Sequence, residues 1–317
     1  MLVDADTGAV IDGSNARLPL PPASVGKVLT ALLAVERLPA GAQAPVSPRA
    51  AAMPASKVGL VAGQTWPVDD LLQALMLVSA NDAAVALAER VGGSLPGFRQ
   101  EMALAATRLR LADQPILQDP AGLDDESSVD GGNRISARDL AIVTRAALAV
   151  PQIRSIVAEP EFRFRGPDGL DHRYWNHNPL LRTYPGAIGV KTGYTRLAGH
   201  SLIGAATRDG RTMIAVVLGA ADPARSTAQL LDRGFATPVA AEAALDHLPA
   251  FDLAALRRPA PWVVGGTSVA PSAAALGRRP ITLPLPAMAF ACLALAVTSA
   301  GLVFTQFRPA PTALAGG

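Results

Sequence analysis

The sequence contains little cysteine, aromatic residue or lysine, and these shortages exclude several kinds of protein. Cys292 is the only cysteine, so no disulfide can form within the chain and the fold must rest on its hydrophobic core. The net charge is +2 and the basic residues form no runs, so the sequence lacks the clustered positive charge that is typical of nucleic-acid binding proteins. The cysteine and the four histidines lack metal-ligand spacing, and we predict no metal site.

Only three of the 28 basic residues are lysines, and two of them lie in short strings with catalytic meaning. Lys27 follows Ser24 in the pattern S-x-x-K, and Lys191 opens the string K-T-G. Lysine can lose its proton and act as a base when it is desolvated, whereas arginine cannot. Chance placement of a few lysines is the plainer explanation, so the interpretation depends on what else the sequence contains.

The composition divides the chain into a domain, a linker and an apolar segment. Residues 1–238 mix helix and strand patterns and form the main domain. Residues 239–284 are rich in Ala and Pro and are typical of a linker. Residues 285–307 carry no charge and exceed the roughly 20 apolar residues that cross a bilayer, although a buried helix is the alternative. We predict a transmembrane helix at 285–307 and a short tail at 308–317.

Strand patterns lie at both ends of the main domain and helix patterns lie between them. The N-terminus predicts a hairpin with its turn at 6–8, where the sequence is Asp-Thr-Gly. This arrangement predicts an α+β fold, with an antiparallel sheet flanked by helices and a mainly helical insert. The further predicted helices are 24–37, 68–92 (split near 79–81), 136–150 (capped by Ser136) and 223–235, and the further predicted strands are 186–193, 199–208 and 211–219.

The first chemical motif is the S-x-x-K pattern of Ser24 and Lys27 at a predicted helix start. Residues three apart on a helix share a face, so the Lys27 amine can reach the Ser24 hydroxyl. A buried, uncharged Lys27 could take the Ser24 proton, and Ser24 could then attack a carbonyl. The helix start would also stabilise an oxyanion. A helix-capping serine followed by a surface lysine is the alternative.

Two further motifs provide polar groups that could face the same cleft. Ser79 could relay a proton and Asn81 could bind a substrate amide, because both lie at the break between two helical stretches. Lys191 and Thr192 offer a positive charge and a hydroxyl for a carboxylate, and Gly193 permits close approach to the strand edge. Alone, the two motifs are also typical of a helix start and of the end of a surface strand.

The three motifs occur together in the order that penicillin-binding proteins and class A β-lactamases share, with Ala80 where that signature has Asp. Over roughly residues 1–236 the chain resembles the serine-type D-alanyl-D-alanine carboxypeptidases, which are low-molecular-mass penicillin-binding proteins of the β-lactamase/transpeptidase-like superfamily. The segments that carry this resemblance are 4–8, 22–27, 79–83, 119–124, 136–140, 176–181 and 189–199.

The resemblance implies a serine acyl-enzyme mechanism that needs no cofactor. Ser24 would be the nucleophile and Lys27 its base, while Ser79 and Asn81 would support proton transfer and hold the substrate. The substrate would be a peptidoglycan stem pentapeptide ending in D-Ala-D-Ala, which would lose its last residue. β-Lactams would acylate Ser24 as substrate mimics. The balance of carboxypeptidase, endopeptidase and transpeptidase activity stays open, because all three share the acyl-enzyme.

The resemblance also implies a substrate-binding set near the third motif. The backbone N–H groups of Ser24 and Tyr194 would form the oxyanion hole, and neighbouring side chains would bind the terminal carboxylate. The spacing around Arg225 looks short for the carboxylate-binding arginine that relatives often carry. The expected substrate-binding residues are Lys191, Thr192, Gly193, Tyr194, Thr195 and Arg225.

Two rival functions remain after the motifs are considered. A class A β-lactamase would need a Glu-x-x-Leu-Asn string for its deacylating base. A sensor of wall peptides or β-lactams would keep the groove but lose turnover. Such modules often lose a motif residue, whereas this chain keeps Ser24, Lys27, Ser79, Asn81, Lys191 and Thr192. None of the glutamates between the second and third motifs begins the β-lactamase string; they are Glu89, Glu101, Glu126, Glu159 and Glu161.

The expected location follows from this chemistry and from the apolar segment. No charged n-region, apolar h-region or cleavage site precedes the first strand, which we interpret as a removed signal segment or a start set too far downstream. Arg278 and Arg279 precede the apolar segment and Arg308 follows it, so positive charges do not decide its orientation. A peptidoglycan substrate predicts a membrane-anchored catalytic domain on the extracytoplasmic face.

Overall fold

The structure is a computed structural model that describes residues 1–166 and 169–251. It confirms the predicted α+β class. The transmembrane helix predicted at 285–307 and the tail predicted at 308–317 lie outside the described residues.

The described chain alternates strands and helices in the following order. The strands are β1 (Leu2–Asp4), β2 (Val10–Asp12), β3 (Gln43–Pro45), β4 (Thr65–Pro67), β5 (Glu161–Arg165), β6 (Asp171–Trp175), β7 (Ala187–Thr195), β8 (Gly199–Arg208) and β9 (Arg211–Val217). The helices are α1 (Lys27–Arg37), α2 (Pro48–Ala51), α3 (Val68–Leu77), α4 (Asn81–Gly92), α5 (Leu95–Arg108), α6 (Ala137–Leu148), α7 (Pro151–Ala158), α8 (Leu180–Thr183), α9 (Pro223–Ala236) and α10 (Val239–Glu242). A 3-10 turn, Ala23–Gly26, precedes α1.

Five strands form one antiparallel sheet in the order β2-β1-β9-β8-β7. The predicted N-terminal hairpin is present, and its first strand pairs with β9, where Leu2 lies opposite Ala215. β8 is buried from residue 201 to 206 because helices cover both faces of the sheet. β7 forms one edge of the sheet, so its K-T-G segment can face the 3-10 turn.

A core lies on each face of the sheet. On one face α9 packs against the strands, and Leu202, Met213 and Leu231 meet there. The approach is so close that a Cβ on Gly204 would lie 2.4 Å from Thr227 Cγ2, which explains glycine at this position. On the other face, β-strand residues such as Ile203 join the larger core of the helical insert.

The helical insert matches the predicted pattern at its main elements. The helical stretch predicted at 68–92 is broken into α3 and α4, as expected. Ser136 caps α6, because its Oγ accepts a hydrogen bond from the Asp139 N–H at 2.9 Å. The elements that we did not predict are α5, α7, the short helices α2, α8 and α10, and two small hairpins, β3–β4 and β5–β6.

The folded domain extends past the boundary predicted at residue 238. Val239–Glu242 forms α10, and the Glu242 side chain is buried against Arg211. Leu248 is also buried within the larger core. The first thirteen residues of the predicted linker, 239–251, therefore pack on the domain, and only 252–284 of it lies outside the described residues.

Among residues 1–166 and 169–251, we find no individual helix with the length and apolarity that a bilayer crossing requires. The pair Ala137–Leu148 and Pro151–Ala158 meets the length and composition criteria only when taken together, with a bend of 102° between them.

Arg211 joins the N-terminal hairpin to the C-terminal end of the described chain. Its Nε donates to Asp4 Oδ2 at 2.8 Å, its Nη1 donates to Thr237 O at 2.7 Å, and its Nη2 donates to Glu242 Oε1. Both carboxylates are almost fully buried. They would therefore lose their compensating charge if the guanidinium were removed.

We predict that Arg211→Met lowers the free energy of unfolding by about 3 to 5 kcal/mol, because it leaves buried carboxylates unpaired. Arg233→Met is the matched control. Arg233 pairs with Asp12 on the surface, and such exposed pairs contribute about 1 kcal/mol or less. Denaturant-induced unfolding at neutral pH measures both changes. Equal losses in the two variants would contradict a special role for Arg211.

Candidate active site

Ser24 lies in the 3-10 turn before α1, and Lys27 is the first residue of α1. The prediction that the helix begins at residue 24 was therefore wrong by three residues, and Ser24 caps nothing. The predicted contact is nevertheless present, because side chains three apart eclipse one another in a 3-10 turn. Lys27 Nζ lies 2.8 Å from Ser24 Oγ.

The Lys27 amine is fully buried among neutral oxygen atoms. Besides Ser24 Oγ, it contacts Asn81 Oδ1 at 2.8 Å and Ala121 O at 2.5 Å. Burial lowers the pKa of Lys27 from 10.5 to about 7, and the negative charges of Asp119 and Asp82 oppose this shift. The amine can therefore exist uncharged near neutral pH. It would then donate to two of these oxygens and accept the proton of the third, Ser24.

Asn81 is held in place by the loop between α2 and β4. Its Nδ2 donates to Pro54 O at 3.1 Å, which turns Oδ1 toward Lys27. Its backbone N–H donates to Ser56 O at 2.7 Å. The neighbouring Asp82 accepts backbone N–H groups of the same loop, including that of Gly59 at 2.9 Å. The amide oxygen that faces Lys27 is thus fixed by several backbone contacts.

A second loop brings the Ala121 carbonyl to Lys27. Asp119 organises this loop, because its buried carboxylate accepts the N–H groups of Ala121 at 2.7 Å and Val129 at 2.7 Å. Gly122 has φ +72°, and a Cβ there would lie 2.2 Å from Ala23 O. Glycine is required here because the loop passes directly against the backbone of the nucleophile segment.

β7 supplies the third side of the site. Gly193 lies against the 3-10 turn, since a Cβ on it would be 3.0 Å from the Ser24 and Val25 nitrogens. Its lack of a side chain therefore makes room for the nucleophile segment. Lys191 is buried, and its Nζ donates to Thr192 O at 2.8 Å. Burial, with a smaller effect from the charge of Lys27, lowers the pKa of Lys191 well below its usual value.

These elements surround an open cavity of about 470 Å³. Ser79 lies on its wall with φ +65°, a conformation that costs about 1 kcal/mol or more outside glycine and often marks a functional position. Lys27 and Lys191 lie behind the wall. Among the sequence-predicted residues, those that line the cavity are Ser24, Ser79, Asn81, Thr192, Gly193 and Tyr194.

Three predicted substrate-binding residues do not line the cavity, namely Lys191, Thr195 and Arg225. The Thr195 hydroxyl donates to Asp124 Oδ2 at 2.6 Å and accepts the N–H of Ala198, so it is engaged within the protein. Arg225 is exposed and absent from the cavity wall, although the preceding Pro223 and Ala224 belong to it. The hydrogen bond of Thr195 joins the end of β7 to the loop that carries Ala121.

Three residues of the site were not singled out by the sequence interpretation. Asp82 and Asp119 act by organising loops, and the motif-like segments around them were the only signal. His177 lines the cavity, and its place in the segment 176–181, which resembles the family, was the available signal. Within the described residues there is no cluster of three or more metal-ligating side chains.

The assembled geometry agrees with comparisons to known proteins. The profile of D-alanyl-D-alanine carboxypeptidases, peptidase family S11, matches residues 1–222. The chain belongs to this family. D-alanyl-D-alanine carboxypeptidase DacB2 of Mycobacterium tuberculosis is 36% identical over 242 residues, which cover 74% of this chain and 81% of the relative. DacF of Bacillus subtilis is 35% identical, and the match covers 73% of this chain but 59% of that relative.

Solved structures of family members share the fold. A D-alanyl-D-alanine carboxypeptidase from Mycobacterium tuberculosis superposes with a TM-score of 0.68 at 33% identity, covering 75% of this chain and 90% of that one. A mutant of the Streptomyces K15 DD-transpeptidase gives a TM-score of 0.67 at 27% identity, covering 74% and 96%. The resemblance deduced from the motifs therefore extends over the described domain.

We predict that Thr195 and Asp124 act as one unit that ties β7 to the Ala121 loop. In a double-mutant cycle, Thr195→Val and Asp124→Ala should each destabilise the protein, and the double variant should lose less than the sum. The coupling energy should be about 1 to 2 kcal/mol, because the hydrogen bond has a charged acceptor. Thermal and denaturant unfolding measure it. Additive losses would instead mean that the two side chains act independently.

Proposed function

We propose that this protein is a serine D-Ala-D-Ala carboxypeptidase that removes the terminal D-Ala from peptidoglycan stem pentapeptides. The observation that carries the proposal is the 2.8 Å contact between Lys27 Nζ and Ser24 Oγ, with a Lys27 pKa of about 7. An alcohol is a weak nucleophile until a nearby base removes its proton. Lys27 is such a base, and Ser24 opens onto a cavity that a peptide end can enter.

In the acylation step, Ser24 Oγ attacks the carbonyl carbon of the penultimate residue while Lys27 Nζ takes the Ser24 proton. The tetrahedral oxygen becomes negative and needs N–H donors. The backbone N–H groups of Ser24 and Tyr194 are the proposed donors. The close approach of Gly193 to the Ser24 nitrogen supports this assignment, because it brings β7 beside the nucleophile backbone.

Collapse of that intermediate breaks the peptide bond. The departing D-Ala nitrogen receives a proton from the Lys27 ammonium, with Ser79 as the proposed relay, and Asn81 holds the substrate amide. The product is an ester between Ser24 and the shortened peptide. Water then attacks this ester with Lys27 as base, which releases the peptide and restores Ser24. Lys191 and Thr192 are the proposed partners of the substrate's terminal carboxylate.

The two rival functions are less well supported by this cavity. No glutamate of residues 1–166 and 169–251 lines it, so the base that a class A β-lactamase would need is not at hand. A non-turnover sensor would keep Ser24 but stop at the ester. A single burst of D-Ala, equal to one per enzyme and followed by nothing, would favour the sensor.

We also propose that the apolar segment at 285–307 anchors the enzyme to the membrane, with the catalytic domain on the extracytoplasmic face. The support is the length and lack of charge of this segment and the location of the proposed substrate.

Incubation with a stem pentapeptide tests the proposed activity. We expect D-Ala release and a shortened peptide, which mass spectrometry distinguishes from a cross-linked transpeptidation product.

A fluorescent penicillin should label the wild type but not Ser24→Ala. Lys27→Arg should lose acylation by about 100-fold or more although it keeps the positive charge, because guanidinium cannot accept the proton. Labelling of Ser24→Ala would disprove the nucleophile assignment.

The pH dependence of acylation should report Lys27. Because only the neutral amine can accept the Ser24 proton, the labelling rate should rise with pH and reach half its maximum near pH 7. Below that pH the ammonium predominates and the rate should fall about tenfold for each pH unit. Labelling with a fluorescent penicillin, quenched after set times, measures how the acylation rate depends on pH. A rate that does not change between about pH 6 and about pH 8 would contradict the base role.

A further inference from the structure

The cavity that would receive the substrate's terminal carboxylate has no permanently charged side chain on its wall. Its lining contains no Lys, Arg, Asp or Glu among the described residues. Lys191 is buried behind Thr192, and burial favours its neutral form. Arg225 is exposed outside the wall. The titratable nitrogen bases that do reach the cavity are the imidazoles of His177 and His200.

His177 is held rigidly beside the second motif. The backbone N–H of His177 donates to Leu77 O at 3.0 Å, and Leu77 lies two residues before Ser79. The preceding Asn176 is buried and donates to Glu159 O at 3.0 Å, while Asn178 is buried and accepts the N–H of Leu180 at 3.0 Å. The backbone on each side of His177 is therefore fixed. His177 is therefore anchored through its backbone, while its exposed side chain belongs to the cavity lining.

Lys191 is the charged neighbour that acts on this imidazole. Partial burial lowers the pKa of His177, and the positive charge of Lys191 lowers it further. The two nitrogen bases are therefore close enough for the charge of Lys191 to act on the imidazole, although only His177 lines the cavity. A negative group placed between them would remove their mutual repulsion and favour the protonated form of each.

The other titratable or charged groups around His177 are already engaged or lie elsewhere. On the neighbouring α8, Arg182 Nη1 donates to Asn176 O at 3.4 Å. At the start of α4, Asp82 accepts backbone N–H groups, and after α7 Glu159 has a raised pKa owing to burial. Across the cavity, the His200 ring packs on Tyr194 with 4.4 Å between centroids. Of these groups only the histidine, His200, belongs to the cavity lining, so none of them places a permanent positive charge on the wall.

We propose that His177 is a proton-dependent binding residue for the substrate's terminal carboxylate, acting together with Lys191. This inference rests on the proposed function. In the free enzyme the imidazole is neutral at neutral pH. When the carboxylate enters, His177 takes up a proton from solvent and donates a charge-assisted hydrogen bond to it. Substrate binding is thus coupled to proton uptake, and affinity falls as pH rises.

The test compares His177→Arg and His177→Gln with the wild type, using the full chain and a stem pentapeptide. The KM of the wild type should rise between about pH 6 and about pH 8. The ratio of the KM at about pH 8 to the KM at about pH 6 should be about tenfold smaller in both variants than in the wild type, because neither arginine nor glutamine titrates in this range. His177→Arg should keep KM near the low-pH value of the wild type, whereas His177→Gln should raise it about tenfold at the lower pH.

Two controls separate a binding role from a structural one. A pentapeptide with a C-terminal amide lacks the carboxylate, so its KM should not respond to either substitution. His247→Gln, on the exposed chain after α10, should behave as the wild type. Penicillin labelling to full stoichiometry shows that each variant is folded.

An unchanged KM ratio in both variants, or an equal response with the amide peptide, would overturn the proposal while D-Ala release by the wild type continues. Absence of D-Ala release from every form, including the wild type, would instead mean that the proposed function is wrong.

Discussion

The site depends on a lysine amine that is buried without a carboxylate in direct contact. All three oxygen neighbours of Lys27 are neutral, so no group in direct contact compensates the charge of an ammonium. Lowering the pKa from 10.5 to about 7 corresponds to about 5 kcal/mol against the charged form. A whole domain is typically stable by only about 5–15 kcal/mol. The packed helices and sheet around α1 must therefore offset a considerable local penalty.

The two buried acids near Lys27 explain why its pKa does not fall further. Asp119 and Asp82 do not bond to the amine, but their charges favour its protonated form. Each acid is itself held by backbone N–H groups, which stabilise a carboxylate without neutralising it. Asp119 shapes the loop that carries the Ala121 carbonyl, and Asp82 holds the loop that fixes the Asn81 amide. One pair of residues thus helps to fix the geometry of the base and limits the fall in its pKa that burial causes.

The sequence predicted those parts of the molecule that depend on local pattern. The Ser24–Lys27 contact was predictable from spacing alone, and it survives although a 3-10 turn replaces the expected helix. The β3–β4 hairpin was not predictable, because its strands are three residues long and contain Pro45 and Pro67, which disfavour pairing. The position of His177 on the cavity wall depends on contacts between elements distant in sequence. Sequence periodicity cannot predict such contacts. The hydrogen bond between Thr195 and Asp124 was not predicted for the same reason.

The charge of Lys27, beside the nucleophile, affects the protonation of Lys191 in the third motif. Lys27 and Lys191 are both buried, and the charge of Lys27 disfavours the protonated form of Lys191. When Lys27 takes the Ser24 proton it becomes positive, and its repulsion of a protonated Lys191 is then greatest. An anionic group bound near Lys191 would offset it, whereas a neutral peptide end would not. A terminal carboxylate would therefore favour the proton transfer that activates Ser24 as well as binding.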